Sequence, residues 1–192
     1  KKTPMNQEKL SYGELTQFSP IMVSGVYRSG TTFLASLLGS HPNLYASSSA
    51  IKYLRFCLGR YGNINEATNR DQLLKDCAKR LLKRWELDLN FSNIKKYLDE
   101  KYKLFGLNKV TDALMYHLIM SELHQISPEN KSCRWVDKTA VAWSSIPSFL
   151  SMFPNGNVVH IIRDPRDVAS SYKAMTFETG NTFLDSAFNC LS

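Results

Sequence analysis

The 192-residue chain predicts an α/β protein, a parallel sheet flanked by helices, on three observations. Two short apolar runs suited to buried strands, residues 21–24 and 158–162, each lead within a few residues into a helical pattern. Gly25, Gly30 and Pro165 punctuate those junctions. The long segment between the runs has a helical period at its clearest stretch, and strands that alternate with helices pair in parallel through right-handed crossovers.

Taken in order, residues 1–19 are a polar lead-in. The first strand stops at Gly25, and Phe33, Leu34, Leu37 and Leu38 set a helix over 31–40. His41-Pro42-Asn43 ends it, since a proline disfavours helix in the residue before it. Residues 46–50, Ala-Ser-Ser-Ser-Ala, form a small-residue link with no strong preference. The middle section, 51–125, is predicted helical and segmented by Gly62, Asn63 and Gly106. Within 70–87, Leu73, Leu74, Cys77, Ala78, Leu81, Leu82 and Trp85 make one apolar stripe for core packing, and a second helix covers 111–124. After a polar break at 127–132, residues 133–136 form a short strand and Asp137-Lys138-Thr139 the turn at its end. Ser145 caps a helix with Pro147 in its first turn. Residues 154–157 form a turn, and 158–162 read as a strand buried on both faces. Asp164 then serves as N-cap, Pro165 as the first and Asp167 as the third residue of a helix running to about Met175.

Composition narrows the function classes. The hydrophobic share of 43% fits a folded globular chain, and no run approaches the roughly 20 apolar residues of a membrane span. The net charge is +7, and residues 51–104 hold 13 Lys or Arg against 7 Asp or Glu. That surplus is either a solvated helical face or a surface for anionic partners. Cys57, Cys77, Cys133 and Cys190 form no C-x-x-C pair, so neither structural zinc nor a redox motif is expected, and reduced core thiols fit a reducing compartment.

The chemistry-bearing stretch is Gly25-Val-Tyr27-Arg28-Ser29-Gly30-Thr31-Thr32. A glycine-bounded turn between a strand and a helix points backbone N–H groups into one concavity, and the helix dipole favours an anion there. Its glycines have the spacing of the nucleoside-triphosphate loop G-x-x-x-x-G-K-[ST], but Thr31 stands at the lysine position and the cation is Arg28. Arg28 can grip two oxygens at once, and Thr31 and Thr32 can either add donors to the cradle or simply cap the helix. A second strand end carries Arg163, with Ser171 two helical turns on. Ligands of parallel sheets collect at such strand ends, so two arginine-bearing turns imply a ligand with two separate anionic groups. Lys138 is either an exposed turn lysine or a third cation at that edge.

At these residues the chain resembles the sulfotransferases that use 3′-phosphoadenosine 5′-phosphosulfate. Residues 25–32 with Ser40-His41-Pro42 are similar to that family's 5′-phosphosulfate loop, in its arginine-bearing branch of bacterial and tyrosylprotein type. Residues 158–172, with Arg163 and Ser171, are similar to its 3′-phosphate motif, and Trp135-Val-Asp-Lys138-Thr to its lysine-bearing turn. The resemblance implies a P-loop NTPase-like sulfotransferase fold over 1–192, with a core of 20–45 and 133–175 and a helical substrate-side insertion at 51–125. It implies sulfuryl transfer to a hydroxyl or amine of a small-molecule or macromolecular acceptor, with adenosine 3′,5′-bisphosphate as product and no metal or nucleic acid. Tyr27, Arg28, Ser29, Gly30, Thr31, Thr32, Arg163 and Ser171 would bind the donor, and Arg28 and Lys138 would serve the chemistry.

The chain departs from its relatives in two ways. Where they place a glutamate base this chain has Ser47-Ser48-Ser49, and where others place a histidine it has Ala140. His117, His124 and Glu178 are the nearest residues of the right type, and none is assigned. Relatives also continue into a C-terminal loop over the adenosine, so the chain is expected to be incomplete there. The expected compartment is the cytoplasm, or the Golgi lumen if an anchor lies outside these residues. Two alternatives stand beside the enzyme: a nucleotide-binding scaffold of the same fold, and an atypical kinase or NTPase using Asp164 for metal.

Overall fold

The computed structural model describes residues 18–47, 51–87, 89, 91–105, 110–140 and 143–173. Four strands, β1 (Ile21–Gly25), β2 (Leu44–Ser47), β3 (Arg134–Lys138) and β4 (Asn157–Ile161), form one sheet in the order β2-β3-β1-β4. Each pairing is parallel, with Val23 opposite Lys138 and Val159, and Ser47 opposite Asp137. The α/β class with helices flanking a parallel sheet is therefore correct.

Around the sheet lie α1 (Thr31–Gly39), α2 (Tyr53–Phe56), α3 (Ala67–Trp85), α4 (Ser92–Phe105), α5 (Asp112–His124), α6 (Ile146–Met152) and α7 (Pro165–Lys173). Strand alternation divides them between two faces. Ile21, Val23 and Val136 pack with Leu34 and Leu38 of α1 and with Leu44 and Ala46 of β2. Met22 and Trp135, pointing the other way, join the larger core of Tyr53, Leu73, Cys77, Leu81, Tyr116, Phe149 and Phe153. At its centre the rings of Trp135 and Phe153 meet edge-on at 5.4 Å, and Tyr53 stacks on Tyr116 at 4.6 Å.

The sequence-based boundaries need four corrections. Residues 44–47 are a strand where Ala46 and Ser47 were assigned to a link. The pairing partner β3 supplies the backbone hydrogen bonds that small, weakly preferring residues cannot demand by themselves. The strand predicted at 133–136 runs on through Asp137 and Lys138, whose backbone pairs with β1. In α3 the buried stripe of Leu73, Leu74, Cys77 and Leu81 holds, but Leu82 and Trp85 are exposed near its C-terminus. Finally, β4 is not buried on both faces. It forms the sheet's edge among the described residues, Val159 and His160 are exposed, and Ile162 just beyond is 88% exposed. Residues 1–17 of the lead-in, 48–50 of the link, Gly106, the end of the last predicted helix at Met175, Glu178 and Cys190 lie outside the described residues.

Helix entries follow local chemistry. Thr111 accepts from the Leu114 N–H at 3.2 Å and so caps α5, and Asp164 accepts from the Arg166 N–H at 2.9 Å at the start of α7, as its N-cap assignment requires. Ser145 is the N-cap of α6 by position but makes no side-chain capping bond.

Phe153 is fully buried among Trp135, Tyr116 and Phe149. Its replacement by alanine should lower unfolding free energy by about 3–5 kcal/mol, read from urea denaturation.

Candidate functional site

The central position of β1 brings three strand ends together. β1 is buried throughout and runs into the loop at Gly25, whose φ is +155°. A side chain there would sit 2.9 Å from the Ile161 carbonyl and 2.8 Å from Ser29 Oγ, so only glycine lets the loop pass this close to β4. Gly30, left-handed at φ 101°, turns the chain into α1. Arg28 also holds positive φ, 68°, although it carries a side chain. Non-glycine residues in this region are held there by their surroundings.

Those surroundings include the other predicted site residues. Arg163 Nη1 donates to the Arg28 carbonyl at 3.0 Å, fastening the end of β4 to the crest of the loop. Arg28 Nε donates to Ser171 Oγ at 2.9 Å. The guanidinium assigned to the sulfate end and the hydroxyl assigned to the 3′-phosphate are thus in direct contact, which sequence separation could not reveal. On the β3 side, Lys138 Nζ donates to Thr32 Oγ1 at 3.2 Å, so Lys138 reaches over the start of α1. Ser29 is buried and its hydroxyl donates to the Val26 carbonyl at 2.7 Å, which shapes the loop from within. Tyr27 is half-buried, Thr31 buried and Thr32 exposed at the first turn of α1, where N–H groups have no intrahelical acceptor. Arg28, Arg163 and Ser171 are therefore linked to one another, and Lys138 to Thr32, at the carboxyl ends of β1, β3 and β4.

The carboxylates nearby are already engaged. Asp164 receives Arg166 Nη2 at 2.6 Å, and these hydrogen bonds hold its carboxyl below the usual range. Asp167 Oδ2 lies 3.7 Å from Arg163 Nε. The loop 25–32 contains no acid. The edge is cationic and rich in donors.

Below Lys138 is a buried arrangement that sequence inspection missed by ending β3 too early. Asp137 is 1% exposed and its Oδ2 accepts from the Tyr116 hydroxyl and, at 3.0 Å, from Thr139 Oγ1. Burial raises its pKa, against the pull of Tyr116, Thr139, Lys138 and Lys52. The carboxylate anchors the segment that carries Lys138. The signal was available in the alternation: once the strand extends to Lys138, Asp137 shares the face of Trp135. Asp137 Oδ1, Ser24 Oγ and Ser47 Oγ are buried without a hydrogen-bond partner, all towards the carboxyl ends of adjacent strands.

His117 and His124 are structural. His117 is 3% exposed, stacks on Phe18, accepts from Trp135 Nε1 at 3.1 Å through Nδ1 and faces the Pro128 carbonyl at 2.9 Å through Nε2. Both nitrogens are occupied, and burial lowers its pKa. His124 Nε2 is buried without a partner, and burial pushes its pKa down to about 4.

Fold and site together define an α/β protein with a glycine-bounded loop bearing Arg28 and a second arginine-bearing strand end. The model of the sulfotransferase family matches residues 20–191, and the chain belongs to that family. No curated protein matches it. Among solved structures it is similar to the sulfotransferase STF1 from Mycobacterium tuberculosis H37Rv, at 14% identity and a TM-score of 0.44, over 94% of this chain. The chain spans 57% of that protein's length, and at this score the likeness adds nothing to the family match.

The histidines set a pH dependence. With the folded pKa of His124 near 4 and the ordinary value about 6.5, the unfolded chain takes up the proton first as pH falls. His117 acts in the same direction. Their contribution to stability is intact above about pH 6.5 and declines towards pH 4. Calorimetric melting temperatures should fall over this window, and His124→Gln should flatten part of the slope.

Proposed function

We propose that the chain transfers a sulfuryl group from 3′-phosphoadenosine 5′-phosphosulfate to a hydroxyl or amine acceptor, in line and without a metal, with adenosine 3′,5′-bisphosphate as the second product. The observation that carries this reading is the linkage of Arg28 to both Arg163 and Ser171 at one sheet edge, with Lys138 on Thr32 beside them. Such a donor set fits a ligand with two anionic groups. It offers two guanidiniums, an ammonium, hydroxyls and the N–H groups of a helix start, with the adjacent acids already paired.

The bound donor supplies the sulfuryl group and a phosphate leaving group. In this reading the loop from Tyr27 to Thr32, through Ser29, Gly30 and Thr31, holds the phosphosulfate by backbone N–H groups and the helix dipole. Arg163 and Ser171 hold the 3′-phosphate. Arg28 and Lys138 offset the negative charge that builds on the leaving oxygen. Residues 1–192 act as one sulfotransferase-like domain in which 51–125 faces a small-molecule or macromolecular acceptor, and no nucleic acid takes part. Among the described residues no helix is long and apolar enough to cross a membrane. Cys57, Cys77 and Cys133 are thiols, which supports a cytoplasmic location.

Adenosine 3′,5′-bisphosphate should raise the melting temperature by several degrees in magnesium-free buffer, and Arg163→Ala or Ser171→Ala should remove most of the shift. No shift with folded protein would reject the reading. Magnesium-dependent ATP turnover would favour a kinase instead.

Lys138→Ala should keep the shift yet lower sulfate transfer across an acceptor panel by roughly 10²–10³-fold. One observation favours a second reading, a scaffold that binds the nucleotide without transfer. Ala140 and the segment from Ser47 stand where the resemblance puts a base. That reading expects the same thermal shift with no labelled sulfate reaching any acceptor.

A further inference from the structure

Away from the anion edge, two thiols in the helical layer face one another. Cys57 Sγ and Cys77 Sγ lie 3.6 Å apart, both almost fully buried. Twenty residues separate them in the chain, and neither takes part in the chemistry proposed above. Arg80, one turn beyond Cys77 on α3, donates from Nη1 to Cys57 Sγ at 3.5 Å. The second sulfur in van der Waals contact and the guanidinium on Cys57 Sγ give that thiol an electropositive neighbourhood and a partner within reach, although both sulfurs are buried.

We propose that Cys57 and Cys77 are an oxidative modification site, closing to a disulfide that fastens the end of α2 to the middle of α3. A disulfide needs the sulfurs about 2.05 Å apart, so they must approach by roughly 1.5 Å. The backbone on the Cys57 side can provide that movement. Cys57 terminates a four-residue helix at φ −118°, and Gly59, in the left-handed region at φ +67°, follows two residues later. Cys77 sits within a 19-residue helix and supplies the fixed side.

The order of events follows from the neighbours. The contact with Cys77 and the charge of Arg80 lower the Cys57 pKa against its burial, while the Cys57 contact and burial push Cys77 up. Cys57 is therefore the attacking sulfur, with a peroxide as oxidant. The Cys57 thiolate forms a bond to one peroxide oxygen as the O–O bond breaks, leaving a sulfenic acid and hydroxide. Cys77 sulfur then attacks Cys57 sulfur. The S–S bond forms, the S–O bond breaks, and the departing hydroxide takes the Cys77 proton as water. Two electrons pass from the sulfurs to the peroxide.

The link would tighten a layer that reaches the site by contact. Tyr53 of α2 stacks on Tyr116, whose hydroxyl donates to Asp137, the neighbour of Lys138. Closure of the loop between the cysteines also restricts the unfolded chain, so the oxidised protein should melt higher.

The test treats the full chain with hydrogen peroxide, blocks remaining thiols with N-ethylmaleimide under denaturing conditions, and digests with trypsin without reduction. Mass spectrometry should find the peptide 56–60 joined to 76–79 with two hydrogens lost, and dithiothreitol should separate them. The melting temperature should rise by several degrees on oxidation and return on reduction. Both effects should be absent in Cys57→Ser and in Cys77→Ala, the second keeping an apolar side chain at the packed position. Recovery of both cysteines as maleimide adducts while Cys133 is oxidised would overturn the proposal. So would sulfinic acid at Cys57 without a link, or a link from either cysteine to Cys133 or Cys190.

Discussion

The parallel placement of β1 between β3 and β4 is the constraint on which the rest depends. It sets Val23 beside both Lys138 and Val159, so three carboxyl ends emerge on one side of the sheet, β1 and β4 level at Gly25 and Ile161 and β3 two residues short of them. A Cβ added at Gly25 would lie 2.9 Å from the Ile161 carbonyl, the last of β4, so the loop there approaches β4 closely. From that approach come the hydrogen bond of Arg163 to the Arg28 carbonyl and the contact of Arg28 with Ser171. Arg28 keeps its left-handed backbone because Arg163 holds its carbonyl from outside and Ser29 ties the loop to Val26 from inside. A turn whose shape is held by a neighbouring strand end is preorganised, and under the proposed function that is the condition for electrostatic stabilisation to be effective.

The sheet's opposite face solves a different problem. Tyr116, Trp135, His117 and Asp137 are polar or amphipathic side chains in the core, and each has a partner, although Asp137 Oδ1 is left without one. Trp135 donates to His117, and Tyr116 and Thr139 donate to Asp137. A buried network of this kind is stabilising only if its members are satisfied, and it specifies one register. Here it fixes the end of β3 and with it the root of Lys138, while its long side chain reaches across to Thr32. The same burial removes His117 and His124 from proton transfer at neutral pH, because an imidazole deprived of water resists protonation.

The sequence was most legible where local chemistry is strong. The loop of Gly25 and Gly30 was visible because only glycine suits its backbone, and α7 was visible because Asp164, Pro165 and Asp167 suit one helix start. Legibility failed where pairing outweighs preference. Leu44–Ser47 became a strand because β3 lay alongside, and Asp137 and Lys138 stayed in β3 because β1 continued to pair with them. The apolar run of β4 was overread, since apolarity reports what a segment could bury and not which neighbours it receives. On α3, the stripe was right through Leu81 and wrong beyond it, where Leu82 and Trp85 extend past the packed layer.

The sequence by itself determined the α/β class, the glycine-bounded loop, the arginine at the second strand end and the family resemblance that residues 20–191 bear out. These are local matters of backbone permission, helix capping and fixed charge. Only the tertiary structure decided that Arg28, Arg163 and Ser171 form one cluster, that Lys138 bonds to Thr32 at the start of α1, and that Cys57 meets Cys77. Contacts between residues 20 to 143 positions apart are set by strand order and helix packing. Those are properties of the assembled layers that no short stretch of chain contains.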